Sequence, residues 1–201
     1  MRSDISVIVF TNETYFNINY ITIPQLLKNT QGLNVKINLA SNKFPQHEKI
    51  AEVTYIESNV PFDGGGHHFR DTMLYALERI EEKYVFFLCD DYIFRNPVKE
   101  KSFDSIIKIL DDTNSDFLSF STQKHMGAFI DGWEKIELDV TNYGFPSNCF
   151  YYMPDEYIHM YSVQPCIWKK DSLIELLNYN QEISLHGLDT TNIKNLSLIH
   201  I

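Results

Sequence analysis

The sequence predicts an α/β fold, a mixed, mostly parallel sheet flanked by helices in a single domain over residues 1–201, standing alone or as one domain of a larger protein. Three observations point there. The runs ISVIVFT (residues 5–11) and KYVFFLC (83–89) are almost wholly apolar, without the alternation of a half-exposed strand, so both faces must be covered. The first 90 residues read strand, helix, strand, strand, helix, strand, the order that builds parallel crossovers. A chain of 201 residues with 44% apolar composition also buries a substantial core without disulfide or metal staples.

The elements follow in order. After the first strand, NETYFNINYITIPQLLKN carries helical spacing, clearest over residues 20–27. VKINLASN (35–42) alternates and reads as a second strand, and EVTYIES (52–58) as a third. NVPFDGGGHH is a flexible loop. The stretch from residue 69 to residue 82 is a helix, with Phe69, Met73, Ala76, Leu77 and Ile80 on one face. The fourth strand is the most hydrophobic. SFDSIIKILDD (102–112) gives a helix, SDFLSFST (115–122) a strand, and residues 124–154 a loop-rich aromatic region. HMYSVQPCIW (159–168) reads as strand-like, KKDSLIELLNY (169–179) as a helix, and the tail NIKNLSLIHI as a last strand.

The formal charge is −10, from 27 acidic and 17 basic residues, which argues against a nucleic-acid backbone as partner while leaving room for a nucleotide held through a metal ion. Cys89, Cys149 and Cys166 form no CxxC, and their apolar neighbours mark them as reduced and partly buried. The opening Met-Arg-Ser-Asp lacks the apolar segment of a signal peptide. No stretch approaches the length of about 18 apolar residues that crosses a membrane.

The fourth strand runs directly into Asp90 and Asp91. Open parallel sheets bind ligands beyond the carboxyl ends of their strands. Adjacent carboxylates at that edge repel each other unless positive charge lies near, and Mg2+ or Mn2+ prefers such oxygen ligands while keeping substrate phosphates in its shell. The same pair also reads as a plain turn or a helix cap. DGGGHH lacks both the GxGxxG frame and the GxxxxGKS frame, so dinucleotide binding and P-loop chemistry have little support.

Taken together, GGGHHFRDTMLYALERIEEKYVFFLCDDYIF resembles the nucleotide-sugar glycosyltransferases of the GT-A (Rossmann-like) fold, in which a flexible loop and an Arg-bearing helix precede a strand ending in Asp-x-Asp. The third position of that motif, which most often holds the metal, matches Asp91; the middle position matches Asp90; the first matches Cys89, a departure that implies a weaker or differently arranged grip on the nucleotide. SVQPCIWKKDSLIELL resembles a segment of small bacterial and large-DNA-virus glycan glycosyltransferases, where Pro-x-x-Trp precedes a short helix and an acidic residue follows about twenty positions later, near Asp189.

The resemblance implies a metal-dependent glycosyltransferase (hexosyl- or deoxyhexosyl-), moving sugar from a UDP-sugar to a glycan hydroxyl with inversion, with Mn2+ or Mg2+ as cofactor, in the cytoplasm (of the host cell, if the chain is viral). Thr11, Asn12 and Glu13 at the end of the first strand and Asn42 at the end of the second are placed for the nucleotide, with a cap of the next element as the alternative for Thr11 and a turn residue as that for Asn42. Gly65 and Gly66 permit close backbone approach to phosphate or donor sugar. Arg70 suits a phosphate or carboxylate, and Asp71 either the donor sugar or Arg70 itself. A general base is drawn from Asp189, which the family pattern favours, or from Asp155, Glu156 and Glu182, and His200 is the terminal histidine that such enzymes add to the metal shell. Tyr151, Tyr152, Tyr157, Trp133 and Trp168 are sugar platforms or core, with core the better reading for Trp168. Three alternatives stay open: a retaining enzyme of the same fold, a non-catalytic carbohydrate- or nucleotide-sugar-binding protein, and a metal-dependent nucleotidyltransferase or phosphohydrolase.

Overall fold

The computed structural model describes residues 4–46, 49–61, 66–94, 96–120, 138–145, 151–152, 165–179 and 198–200. One sheet of eight strands organises them. In chain order these are β1 (Ile5–Phe10), β2 (Lys36–Ser41), β3 (Val53–Glu57), β4 (Tyr84–Cys89), β5 (Phe117–Ser119), β6 (Tyr151–Tyr152), β7 (Cys166–Lys169) and β8 (Leu198–His200). Across the sheet they run β3-β2-β1-β4-β7-β5-β8-β6. β1 to β4 are mutually parallel, β7 lies antiparallel between β4 and β5, β8 is parallel to β5, and β6 is antiparallel to β8.

Helices cover both faces, as the unbroken apolar strands require. The helices are α1 (Asn19–Asn29), α2 (Gly66–Leu77), α3 (Glu100–Asp112) and α4 (Lys170–Tyr179). Alternate strand residues divide between two cores. Val7, Val9, Phe86, Leu88 and Ile167 pack with Ile23 and Leu26 of α1 and Phe103 and Ile106 of α3. Ile8, Phe10, Val85, Phe87 and Trp168 pack with Phe69 and Met73 of α2 and Leu173 and Leu177 of α4. Every residue of β1 is buried. Trp168 is core, stacked at a tilt on Phe117 with ring centroids 4.3 Å apart.

Two boundaries differ from the sequence expectation. α1 begins at Asn19 and follows a 3-10 turn over Phe16–Ile18. α2 ends at Leu77. Beyond it, hydrogen bonds from Arg79 N to Ala76 O (3.0 Å) and from Ile80 N to Leu77 O (3.2 Å) tighten the chain, which drops Ile80 into the core just before β4. The loop-rich aromatic region contributes the two residues of β6. Among the described residues no helix is long and apolar enough to cross a membrane.

The apolar face read from the α2 sequence is wholly buried, with Leu77 fully enclosed. Leu77→Ala is therefore expected to lower the unfolding free energy by about 2–5 kcal/mol. Ile21→Ala, on the outer side of α1 at 63% exposure, should stay within about 0.5 kcal/mol. Urea unfolding with unchanged m-values measures both.

Candidate functional site

The parallel strands deliver their carboxyl ends to one edge. Phe10 of β1 is level with Ala40 of β2 and with Cys89 of β4. The ladder continues one residue further through Thr11 N to Ala40 O (2.9 Å) and Asp90 N to Phe10 O (3.1 Å). A bond from Tyr92 N to Cys89 O (3.3 Å) then closes a turn whose two central residues are Asp90 and Asp91. The turn reading and the ligand reading of this pair are thus compatible: the backbone makes the turn, and the turn projects the carboxylates.

The two aspartates are held differently. Asp90 is half-buried and points back across the sheet, where the Thr11 hydroxyl donates to its Oδ2 at 2.5 Å. Asn19 Nδ2 in turn donates to Thr11 Oγ1 (2.9 Å) and to Phe16 O (3.0 Å). Thr11 and Asn19 are both buried, so this chain of bonds fixes Asp90 from below. Asp91 is exposed at the tip of the turn.

Burial raises the Asp90 carboxyl above its ordinary value, the Thr11 bond lowers it, and the Asp91 charge raises it again, with a net upward displacement. Cys89, the last residue of β4, is pushed up to about 12 by burial and by the charges of Asp91 and Asp90. Its thiol stays neutral at physiological pH. Tyr92 is pushed up to about 12 by burial, then by Asp91. Three neighbouring groups are thus displaced away from negative charge. Burial is the main cause in all three, with the neighbouring carboxylate charge adding to it, and the hard oxygen donors of Asp90 and Asp91 fit Mg2+ or Mn2+. Among the described residues neither Asp90 nor Asp91 has a salt-bridge partner, and no group of three or more His, Cys, Asp and Glu side chains forms a metal cluster.

The other expected residues are placed as follows. Asn12 uses its side-chain oxygen to accept from Thr14 N (2.9 Å) and Tyr15 N (3.1 Å), which is a turn-stabilising role. Glu13 is exposed beside it. Asn42 is buried at the end of β2, its carbonyl accepting from Asn59 N at 2.8 Å. Gly66 opens α2, whose first turn stands at the carboxyl edge because the helix returns from β3. The Ser58 and Thr72 hydroxyls, 2.8 Å apart, tie α2 to the end of β3. Arg70 and Asp71 pair with each other, Nε and Nη2 both lying 2.7 Å from one carboxylate oxygen. His200 ends β8 at the same edge, level with Ser119 and with Tyr151. Three strand spacings, roughly 14 Å of sheet, separate its backbone from β4. Gly65, Asp155, Glu156 and Asp189 lie outside the described residues.

Asn19 is the residue that the sequence reading missed. Extending the helical period of α1 back by one residue puts it on the buried stripe with Thr22, Ile23, Leu26 and Asn29. An asparagine on that stripe was the available signal.

No family model and no curated protein sequence matches this chain. Solved structures do. They include the bifunctional IspDF from Campylobacter jejuni, at 18% identity and a TM-score of 0.52 over 98% of this chain and 49% of that one. S. aureus TarS 1-349 matches at 12% identity and a TM-score of 0.54, over 98% and 60%. The mannosyltransferase PcManGT from Pyrobaculum calidifontis, solved with GDP-Man and Mn2+, matches at 12% identity and a TM-score of 0.52, over 93% and 50%. The fold is of the Rossmann-like GT-A type. This chain spans between 49% and 60% of the length of these three structures, and at such identities the likeness establishes the fold alone.

Thr11→Val removes the hydroxyl that joins Asn19 to Asp90. It should cost roughly 1–3 kcal/mol at pH 7, because it strands buried polar groups. The folded Asp90 value lies above the ordinary 3.8, so Asp90 favours the fold most below 3.8 and progressively less as pH rises through its folded value. Losing the Thr11 bond lifts that folded value further. The penalty of the variant should therefore grow with pH across the window that opens at 3.8, as urea midpoints at successive pH values would show.

Proposed function

We propose that this protein is a metal-dependent glycosyltransferase that moves a sugar from a nucleotide-sugar donor, UDP-linked by preference, to a glycan hydroxyl. The observation that carries the reading is the turn after β4. It presents exposed Asp91 at the carboxyl edge, with Asp90 locked behind it by Thr11 and Asn19. Asp91 would hold Mn2+ or Mg2+, with Asp90 supporting it. A bound divalent cation stabilises the charge that develops on a diphosphate leaving group. The amino end of α2, at Gly66, adds backbone donors and a positive dipole end at the same edge, which suits phosphate. The fold shared with a mannosyltransferase solved with GDP-Man and Mn2+ supports the same class of donor.

The remaining roles belong to this proposal. Thr11, Asn42 and the residues after β1 would border the nucleotide. Arg70, tied to Asp71, would present its guanidinium face from α2. One carboxylate among Asp189, Asp155 and Glu156 would take the acceptor proton, giving single displacement and inversion. His200 would join the metal from β8.

One observation favours a second reading, a protein that binds donor without transferring sugar. Cys89 fills the place of the first motif aspartate, and its neutral thiol supplies neither the charge nor the oxygen of a carboxylate.

Calorimetric titration of UDP- and GDP-sugars in the presence of Mn2+, Mg2+ or EDTA separates the readings. Metal-dependent binding of one donor is expected, weakened at least tenfold in Asp91→Ala. Donor binding indifferent to both metal and Asp91 would sink the metal–diphosphate assignment. Binding without transfer or donor hydrolysis would establish the second reading. Where transfer occurs, Asp189→Asn should abolish it while donor affinity is retained, and His200→Ala should weaken Mn2+ binding.

A further inference from the structure

Immediately past the aspartate turn the chain lines a cavity of about 290 Å³. It lies on the α3 side of the sheet, at the carboxyl edge. Its floor is Phe86 of β4; its walls come from residues 92–94, from Ser102 and Phe103 of α3, and from Phe120, which follows β5. Tyr92, on its wall, is the neighbour of Asp91 in the chain. Ser102 brings the one aliphatic hydroxyl among the lining residues, and Ile93, 55% exposed, sits at the mouth.

The rings are arranged around Phe86. Phe94, Phe103 and Phe120 stand at centroid distances of 6.0, 5.4 and 5.5 Å from it, with interplanar angles of 82°, 69° and 59°. Edge-on packing of this kind accepts another ring by extending the same herringbone pattern. The wall is also held in place. Asn29 at the end of α1 donates from Nδ2 to Phe94 O (2.7 Å) and accepts from Val98 N at its carbonyl (2.8 Å), so the loop is pinned at two points. A cavity of about 150 Å³ accommodates benzene, so this one has room for a substituted or fused ring. A fatty acid or acidic lipid is disfavoured by the two carboxylates beside the cavity and by the chain's charge of −10.

We infer that this cavity is a binding subsite for an aromatic ring, carried by the acceptor as an aryl group, with the polar part of the molecule lying over Asp90 and Asp91. The aromatic specificity stands on the cavity alone. Its assignment to the acceptor rests on the transferase reading.

The test uses phenyl, octyl and methyl β-glucosides as probes, by calorimetry and ligand-observed NMR on the full chain in EDTA. Phenyl glucoside should bind at least tenfold tighter than methyl glucoside. Val98→Trp, which fills the cavity, should remove that advantage without lowering the thermal midpoint. Should Val98→Trp fail to fold, Ser102→Leu narrows the same space from α3 and should weaken phenyl glucoside binding in the same direction. Equal affinity for phenyl and methyl glucosides, or preference for octyl over phenyl, overturns the ring subsite. Adding Mn2+ then tests the placement: with the metal on the aspartates, the phenyl resonances should broaden paramagnetically. Phenyl binding in EDTA with no broadening, on a protein that does bind Mn2+, would retain the ring site but overturn its placement beside the metal. Failure to bind Mn2+ would count against the transferase reading and leave the ring subsite standing.

Discussion

The pairing of β1 with β4 is the constraint on which the rest of the site depends. All six residues of Ile5–Phe10 pair in parallel with Tyr84–Cys89. That register brings the ends of two strands, far apart in sequence, to the same level. Thr11 then stands beside Asp90, and a single hydroxyl at 2.5 Å spans 79 residues of chain. A slip of one residue would reverse which side chains face α2 and which face α1. The apolar residues of both strands resist it, since neither core can accept the other's set. The precision of the carboxylate turn therefore derives from hydrophobic packing of the central strands rather than from anything at the edge itself.

The chemistry of the edge follows from that placement. A strand buried on both faces carries its low-dielectric surroundings up to its last residue, so Asp90 ionises against a burial penalty. The Thr11 bond offsets part of this, and the Asp91 charge adds to it. Cys89 takes the same pressure in the other register, its thiol pushed up to about 12. A cation beside the turn would offset the part of this that the Asp91 charge contributes, whereas an anion would add to it.

Much of this was legible in the sequence, for a physical reason. Runs such as ISVIVF and YVFFLC admit few structures, and the apolar spacing of α2 is carried by residues whose burial alone explains them. Asp90 and Asp91 stood out because a buried apolar run ends directly in two adjacent carboxylates, which repel each other unless positive charge lies near. What escaped was of another kind. Asn19 acts through Thr11, and a hydrogen bond between a helix start and a strand end leaves no periodic trace. The turn at Asn12 leaves no periodic trace either: its side-chain oxygen accepts from Thr14 N and Tyr15 N, because short amide side chains bond locally first. The early end of α2 depends on where Ile80 must go, which only the packed sheet decides.

The two sides of the aspartate turn differ in what they can hold. Toward β1–β3 the edge is polar, with Thr11, Asn42, Ser58 and the start of α2. Toward α3 it is a ring-lined hollow behind Tyr92. A ligand lying across the turn would meet hydrogen-bonding groups on one side and desolvated aromatic surface on the other, with Asp91 between. Two ligands of unlike chemistry, one polar and one carrying an apolar ring, would then meet different contacts on the two sides of the turn. The alternation of the strands supplies the partition: in β4, Phe86 faces the hollow while Phe87 faces the α2 core.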